Sequence, residues 1–231
     1  MQFIEKNSFG VRSAIYYLNK RGTGPQFILF PMIHVGDRNF FAEVSKRLAQ
    51  CDLILAEGVA SKRATLITRT YRIVRKIRRL DLITQYEMDT SEFRHKIVNA
   101  DMKPEDFDRR YSALPSLIRL QLLFLFPVFA VYLLLCGTRQ VIAHEIAIED
   151  LPSSEEVLQD AVHEDFDDLL VGQRDSILIH RLQELHDAGD FQTKKIAVLY
   201  GAMHMRNITA FLIEELGYQV IRAKWLTVFD M

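Results

Sequence analysis

The 231-residue sequence predicts an α/β fold: a mixed, largely parallel sheet made from two β-α-β units, with a helical insertion between them. Three observations carry this expectation. Residues 26–34 (QFILFPMIH) form an apolar strand that leads through Val35, Gly36 and Asp37 into an amphipathic stretch at 38–50, and then into a second short apolar strand, CDLILAEGV. Near the other end, KKIAVLYGAMH (194–204) repeats the pattern, passing through a loop and FLIEEL to a further strand, YQVIRAKW. Between the two units, residues 62–136 read as mostly helical. Strands alternating with helices in this way stack into a layered sheet with short connections.

Each element has a local reason. Residues 10–19 (GVRSAIYYLN) are β-rich and, through the turn-like KRGTG, form a hairpin with 26–34. Asp37 is the expected N-cap of a helix over 38–50, where Phe41, Val44 and Leu48 keep a 3.6-residue period. The segment 140–148 (QVIAHEIAI) reads as a further strand; neighbours on a strand face opposite ways, so His144 and Glu145 on it read as structural. Leu178, Leu182 and Leu185 mark one face of a helix over about 171–187. Gly217 is expected to stop the helix after FLIEEL.

Composition is ordinary for a globular protein, 49% hydrophobic and 26% charged. A chain this long buries a core without disulfides or metal, and it is read as a single domain, 1–231, with a helical insertion or lid over about 61–138. Lys and Arg number 29 against 30 Asp and Glu, so bulk basicity gives no reason to expect a nucleic-acid partner. The cysteines, Cys51 and Cys136, are too few for a disulfide framework and both read as small buried hydrophobes. MQFIEKNSFG lacks the apolar core of a signal peptide, and with the cysteine usage this points to the cytoplasm.

Charge is segregated along the chain. Residues 61–80 carry eight Lys/Arg and no acid, with Ile67, Tyr71, Val74 and Ile77 at helical spacing, while residues 145–168 carry ten Asp/Glu and no base. The basic helix is either a solvated face paired with the acidic stretch of this chain or of a second copy, or a surface for an anionic membrane. The apolar run 122–136 contains Pro127 and as a helix reaches ~22 Å, short of the ~30 Å hydrocarbon thickness. A crossing would also divide the two halves of one sheet. A buried helix, a homodimer contact or a lid dipping into the membrane surface is therefore expected, the last giving a peripheral membrane association.

His34, Glu57 and His204 each follow the carboxyl end of an apolar strand, the edge where open α/β sheets bind ligands. Two imidazoles and a carboxylate can hold a divalent ion and activate water. Without metal, a histidine can act as base with the glutamate orienting it, or both histidines can be hydrogen-bonded core residues. Gly201 lets the backbone turn closely before His204. Arg174 and Asp175 lie in the first turn of their helix, in phase with Leu178 and Leu182, so they face inward and need partners. Arg174 could hold a substrate oxygen or pair with Glu57, and Asp175 could orient a histidine or join the metal. Asp101, in NADMKPEDF, could reach the site from the insertion, although Pro104 also suits a helix start. His163, His180 and His186 read as solvated.

PMIHVGD (31–37), CDLILAEGV (51–59), GQRDSILIHRLQEL (172–185) and IAVLYGAMHM with LIEELGYQV (196–220), in this order, resemble the TraB/Tiki family. The resemblance implies a fold shared with erythromycin-esterase-like and haem-binding ChaN-like proteins. For the Tiki branch it implies peptide hydrolysis dependent on a divalent metal (Mn, Co or Zn), using two Gly-x-x-His motifs and a glutamate. His204, with Gly201, matches the second motif; Glu57 matches the glutamate; Arg174 and Asp175 match the family's Arg-Asp pair. His34 matches the first histidine, with Pro31 standing where the family has glycine. Bacterial TraB-like members are linked to turning off peptide pheromone signals. The expected activity is thus a metal-dependent hydrolase, a peptidase with a peptide or small-molecule substrate; the alternatives are a non-catalytic protein that sequesters a peptide or haem, and a metal-free esterase.

Overall fold

Two strands are apolar along almost their whole length, and a strand with no polar face can be satisfied only inside a sheet covered on both sides. These are β3 (Gln26–Met32) and β8 (Lys195–Gly201), and they are parallel neighbours, in register from Gln26 opposite Lys195 to Met32 opposite Gly201. The computed structural model describes residues 1–22, 24–59, 61, 77–146, 172–188 and 194–231. On the far edge of β8 lies β5 (Leu53–Ala56), and beyond it β7 (Ile97–Asn99), both parallel to β8. On the other side, β2 (Gly10–Asn19) runs antiparallel to β3 through Tyr16–Leu18 and to β1 (Ile4–Asn7) through Gly10–Ser13. The opposite edge of β2 takes β9 (Gln219–Asp230) along its full length, also antiparallel. The seven strands thus form a mixed sheet with a four-stranded parallel block. A separate antiparallel pair joins β4 (Val35–Gly36) to β6 (Ile83–Thr84).

The expected α/β class and the hairpin of β2 with β3 are present, but the strand order differs from two simple units. β8 lies between β3 and β5, so the two strands linked by α1 (Arg38–Leu48) are not neighbours. β9 does not return beside β8. The reason lies in its first half: Gln219–Ala223 are exposed, a pattern that suits an antiparallel edge and not a parallel strand buried on both faces.

The insertion also departs from a purely helical reading. Its described part supplies β6 and β7 before the helices α2 (Pro104–Ala113), α3 (Ser116–Cys136) and α4 (Arg139–Ile146). Residues 62–76, the bulk of the expected basic helix, and 147–171, with His163 and most of the acidic stretch, lie outside the described residues. The expected strand at 140–148 is the helix α4. Thr138 Oγ1 accepts the backbone N–H of Val141 at 3.1 Å, an N-cap contact, and Ile142 and Ala143 turn into the core while His144 is exposed. A short apolar run does not by itself distinguish strand from helix.

Asp37 precedes α1 as expected, but its carboxylate caps nothing. It instead pairs with Arg139 at 2.9 Å, while Arg139 also donates to the carbonyls of Leu80 and Asp230, fastening α4 to the sheet. Phe40, Phe41, Val44 and Leu48 of α1, Leu178, Leu182 and Leu185 of α5 (Gln173–Asp187), and Met205 and Ile208 of α6 (Met205–Ala210) fill the main core against the strands. Gly217, at φ +70°, ends the last helical turn before β9. A smaller cluster joins Met102, Phe107, Leu114 and Ile118, with Val59 and Tyr111 against it. His180 is exposed, but His186 is half-buried, its Nδ1 3.1 Å from the Tyr218 hydroxyl and its Nε2 3.3 Å from Lys20 Nζ.

The two cysteines part company. Cys51 is buried, and burial pushes its thiol up to about 11; Cys136 is exposed at the end of α3, contrary to the expectation that both are core residues. Because the thiolate is the reacting form, a maleimide at pH 8 is expected to label folded protein once, at Cys136, and denatured protein twice, as read by mass spectrometry of the intact chain and its peptides.

Candidate functional site

The carboxyl ends of all four parallel strands contribute side chains to one place. β5 delivers Glu57, β8 delivers Gly201 and then His204 through a single 3-10 turn, β7 delivers Asp101, and β3 is followed by His34. Gly201 brings the first two together. Its N–H donates to Glu57 Oε2 at 2.6 Å, and a Cβ there would stand only 3.1 Å from that oxygen, so the carboxylate can approach the backbone because no side chain intervenes.

The first turn of α5 closes the site. Arg174 and Asp175 are both buried, as their phase with Leu178 and Leu182 predicts. The Arg174 guanidinium donates through Nη2 to Glu57 Oε1 at 2.5 Å and to Asp101 Oδ2 at 2.6 Å, and through Nε to Asp101 Oδ1 at 2.8 Å. The fully buried Asp101 carboxylate also accepts the N–H groups of Gly58 and Met102 at 2.9 and 2.7 Å. Asp101 therefore does reach the site, and Pro104 does begin α2.

Asp175 faces the other way. Its Oδ1 lies 2.6 Å from His204 Nδ1, and its Oδ2 accepts from Asn207 Nδ2 at 2.6 Å. This fixes the imidazole with Nδ1 toward Asp175 and Nε2 toward Glu57, whose Oε1 is 3.6 Å away. His204 has no solvent exposure, and Nε2 is a buried nitrogen without a hydrogen-bond partner. The edge of Tyr200 packs on the imidazole at 5.4 Å between ring centres, while its hydroxyl donates to Ala100 O at 2.7 Å.

Electrostatics follow from these contacts. Burial disfavours the charged imidazolium of His204, but the Asp175 hydrogen bond and the Glu57 carboxylate outweigh it and lift the group to about 9. Burial likewise favours the neutral acid at Glu57, yet the neighbouring His204, Arg174 and His34 hold it well below the usual carboxylate range. Burial and the Asp101 and Glu57 charges push the Tyr200 phenol up, keeping it a donor.

Arg174, Glu57, His204 and Asp175 thus form a continuous chain of contacts, in that order. His34 lies near enough for its charge to act on Glu57, and its Nδ1 is engaged by Gln85 Oε1 at 2.9 Å. The chain at Pro31 is held by Ser13 Oγ, which donates to the Pro31 carbonyl at 2.6 Å, beyond the point where β2 stops pairing with β3. Asn207, Gln85 and Tyr200 were not singled out from the sequence. Asn207 had a signal, since it follows His204 by three residues at the start of a helix.

The residues partly suit a divalent ion. A nitrogen and an oxygen 3.6 Å apart can share one ion at bond lengths of about 2.1 Å each. Two buried carboxylates, those of Glu57 and Asp101, also share the Arg174 guanidinium, while Asp175 pairs with His204, so a cation shared by His204 Nε2 and Glu57 would take the place of the His204 proton. Among the described residues, however, no group of three or more His, Cys, Asp or Glu is arranged to hold a metal. No protein-family model matches this chain, and no curated protein or solved structure matches it either.

Replacing Arg174 with Met would leave two buried carboxylates facing each other, and is expected to lower stability by roughly 3–5 kcal/mol in urea unfolding. His204, raised in the folded state from the usual ~6.5, contributes stability that is complete below that value and is lost as pH rises toward 9. In chelator-treated protein the fall in unfolding free energy between pH 6 and 9 should therefore be shallower in His204→Asn than in the parent.

Proposed function

We propose that this protein is a hydrolase, with a peptide as the substrate class and the His204–Glu57 pair as its reacting centre. The single observation that carries the reading is the Nε2 of His204: buried, without a hydrogen-bond partner, aimed at the Glu57 carboxylate, and held there by Asp175. At 3.6 Å the Glu57 carboxylate is the ion-pair partner of Nε2, too far for a direct hydrogen bond, and the two facing atoms can share one bound ion. The likeness of the surrounding motifs to the TraB/Tiki family supports the same reading, and supplies the peptide as substrate.

The roles follow from the contacts. Asp175 keeps Nδ1 protonated, which leaves Nε2 as the nitrogen that exchanges a proton or a ligand, and Asn207 fixes Asp175. Arg174 bridges Glu57 and Asp101 and keeps the Glu57 carboxylate oriented. Before any ion is bound, the favoured occupant of Nε2 is a proton, held by Asp175 on the far nitrogen and by the Glu57 carboxylate. His204 Nε2 and Glu57 Oε1 would hold a divalent ion, with His34 as the third donor expected from the sequence, and the chemistry supplied when it is bound is Lewis-acid polarisation of a carbonyl and activation of water. Loading would displace the His204 proton.

The test is digestion of a mixed peptide library by the purified full chain, chelated and then supplied with Mn, Co or Zn, beside His204→Ala. Metal-restored cleavage, lost by roughly 10³-fold or more in His204→Ala, is the expected result. Peptide binding without cleavage under every metal would overturn it in favour of sequestration, and undiminished ester hydrolysis after chelation would overturn it in favour of a metal-free esterase. Metal loading is read independently by a shift in Tm and by proton release on titration.

A further inference from the structure

We infer that α3 is a membrane-surface helix that seats the protein on an anionic lipid bilayer without crossing it. This rests on no part of the hydrolase reading. Among the described residues α3 is the one helix long and apolar enough to cross a membrane, yet only 19% of its most apolar window is buried. Leu117, Phe124, Leu125, Val128, Val131 and Leu135 are each more than half exposed. The buried-helix expectation for this run is therefore not met: Ile118, Ala130 and Leu133 turn inward, and most of the rest face out. At about 100° per residue the exposed apolar side chains occupy roughly 200° of the circumference. A second copy packed against one side would cover only part of that arc, whereas lipid covers all of it. A contiguous apolar surface of this size marks an interaction site.

The surrounding charge selects the occupant. From Arg109 to His144 there are four arginines and no acid; Arg109 pairs with Asp106 and Arg139 with Asp37, and Arg110 and Arg119 are the basic residues nearest the start of α3. Arg79, next to the last residue of the basic stretch 61–80, donates to the carbonyls of Gly137 and Leu135 at the carboxyl end of α3, at 3.0 and 3.3 Å. An apolar helix that carries no acid of its own, its carboxyl end bonded to Arg79 from a stretch with eight Lys/Arg and no acid in its sequence, complements anionic headgroups above an acyl layer.

A crossing is excluded by the fold. β3 precedes α3 in the chain and β8 follows it, yet the two are paired over seven residues. Both ends of the helix also rest on the same body, Ile118 in the small cluster beside Val59 and Leu133 in the main core. The helix therefore lies along the surface.

The test is flotation of the full chain with vesicles of phosphatidylcholine alone and with added phosphatidylserine. Binding to the anionic vesicles at low salt should exceed that to neutral ones by roughly tenfold or more and weaken as salt is added. The double variant Phe124→Glu, Val128→Glu changes only exposed side chains, so an unchanged Tm serves as its folding control, and it should lose roughly tenfold or more of the binding. Cys136 should become protected from a water-soluble maleimide on anionic vesicles. The proposal fails if the chain stays with neither vesicle at low salt, if the double variant floats as well as the parent, or if the same variant instead dissolves a dimer seen by light scattering in a chain that does not float.

Discussion

The arrangement at the sheet edge depends on one buried cation. The Arg174 guanidinium is gripped by carboxylates from two different strand ends, Glu57 after β5 and Asp101 after β7. The same Asp101 accepts the N–H of Gly58, and Asn99 Nδ2 donates to Gly58 O, so the two loops are also tied to each other. Without the guanidinium, two carboxylates would share a dry space with nothing to offset their repulsion. With it, the start of α5 is pinned to the parallel block. Asp175, the next residue on the helix, is then about 100° further round and meets the loop after β8.

That geometry makes His204 the natural seat of a positive charge. Burial alone would keep the imidazole neutral, but Asp175 on one nitrogen and Glu57 near the other reverse the balance. The carboxylate of Glu57 is itself held by Arg174 and by the Gly201 N–H, so it stays ionised and fixed in direction. Such a site distinguishes between occupants: a proton or a cation at Nε2 is favoured by the Glu57 carboxylate, and an anion there would be repelled by it.

Much of this was legible in the sequence because the relevant signals are local. β3, β5 and β8 are short apolar runs, and the polar residues just after them, His34, Glu57 and His204, mark the ligand-binding edge of a parallel sheet. The helical phase of Leu178 and Leu182 was enough to turn Arg174 and Asp175 inward. What could not be read depends on distant partners. β7 is three residues long and becomes a strand only because β5 offers it an edge. The insertion of β8 between β3 and β5 leaves no trace in any single segment. α4 reads as a strand in sequence because QVIAHEI is short, apolar and ambiguous in period, while the deciding contact comes from Thr138 outside it. For α3, nearly uniform apolarity removes the phase that would have shown which face is covered, and only the packing of Leu133 and Ile118 reveals it.

The place of β8 has a further bearing on how the chain acquires its shape during synthesis. The ribosome makes the strands on either side of the central slot long before it makes the one that fills it. Until residue 201 has emerged, β3 and β5 each present a bare, apolar edge, the kind that recruits strands from other molecules. The nascent protein must shelter that gap for most of its translation, and a product truncated before the last strands would carry the gap permanently.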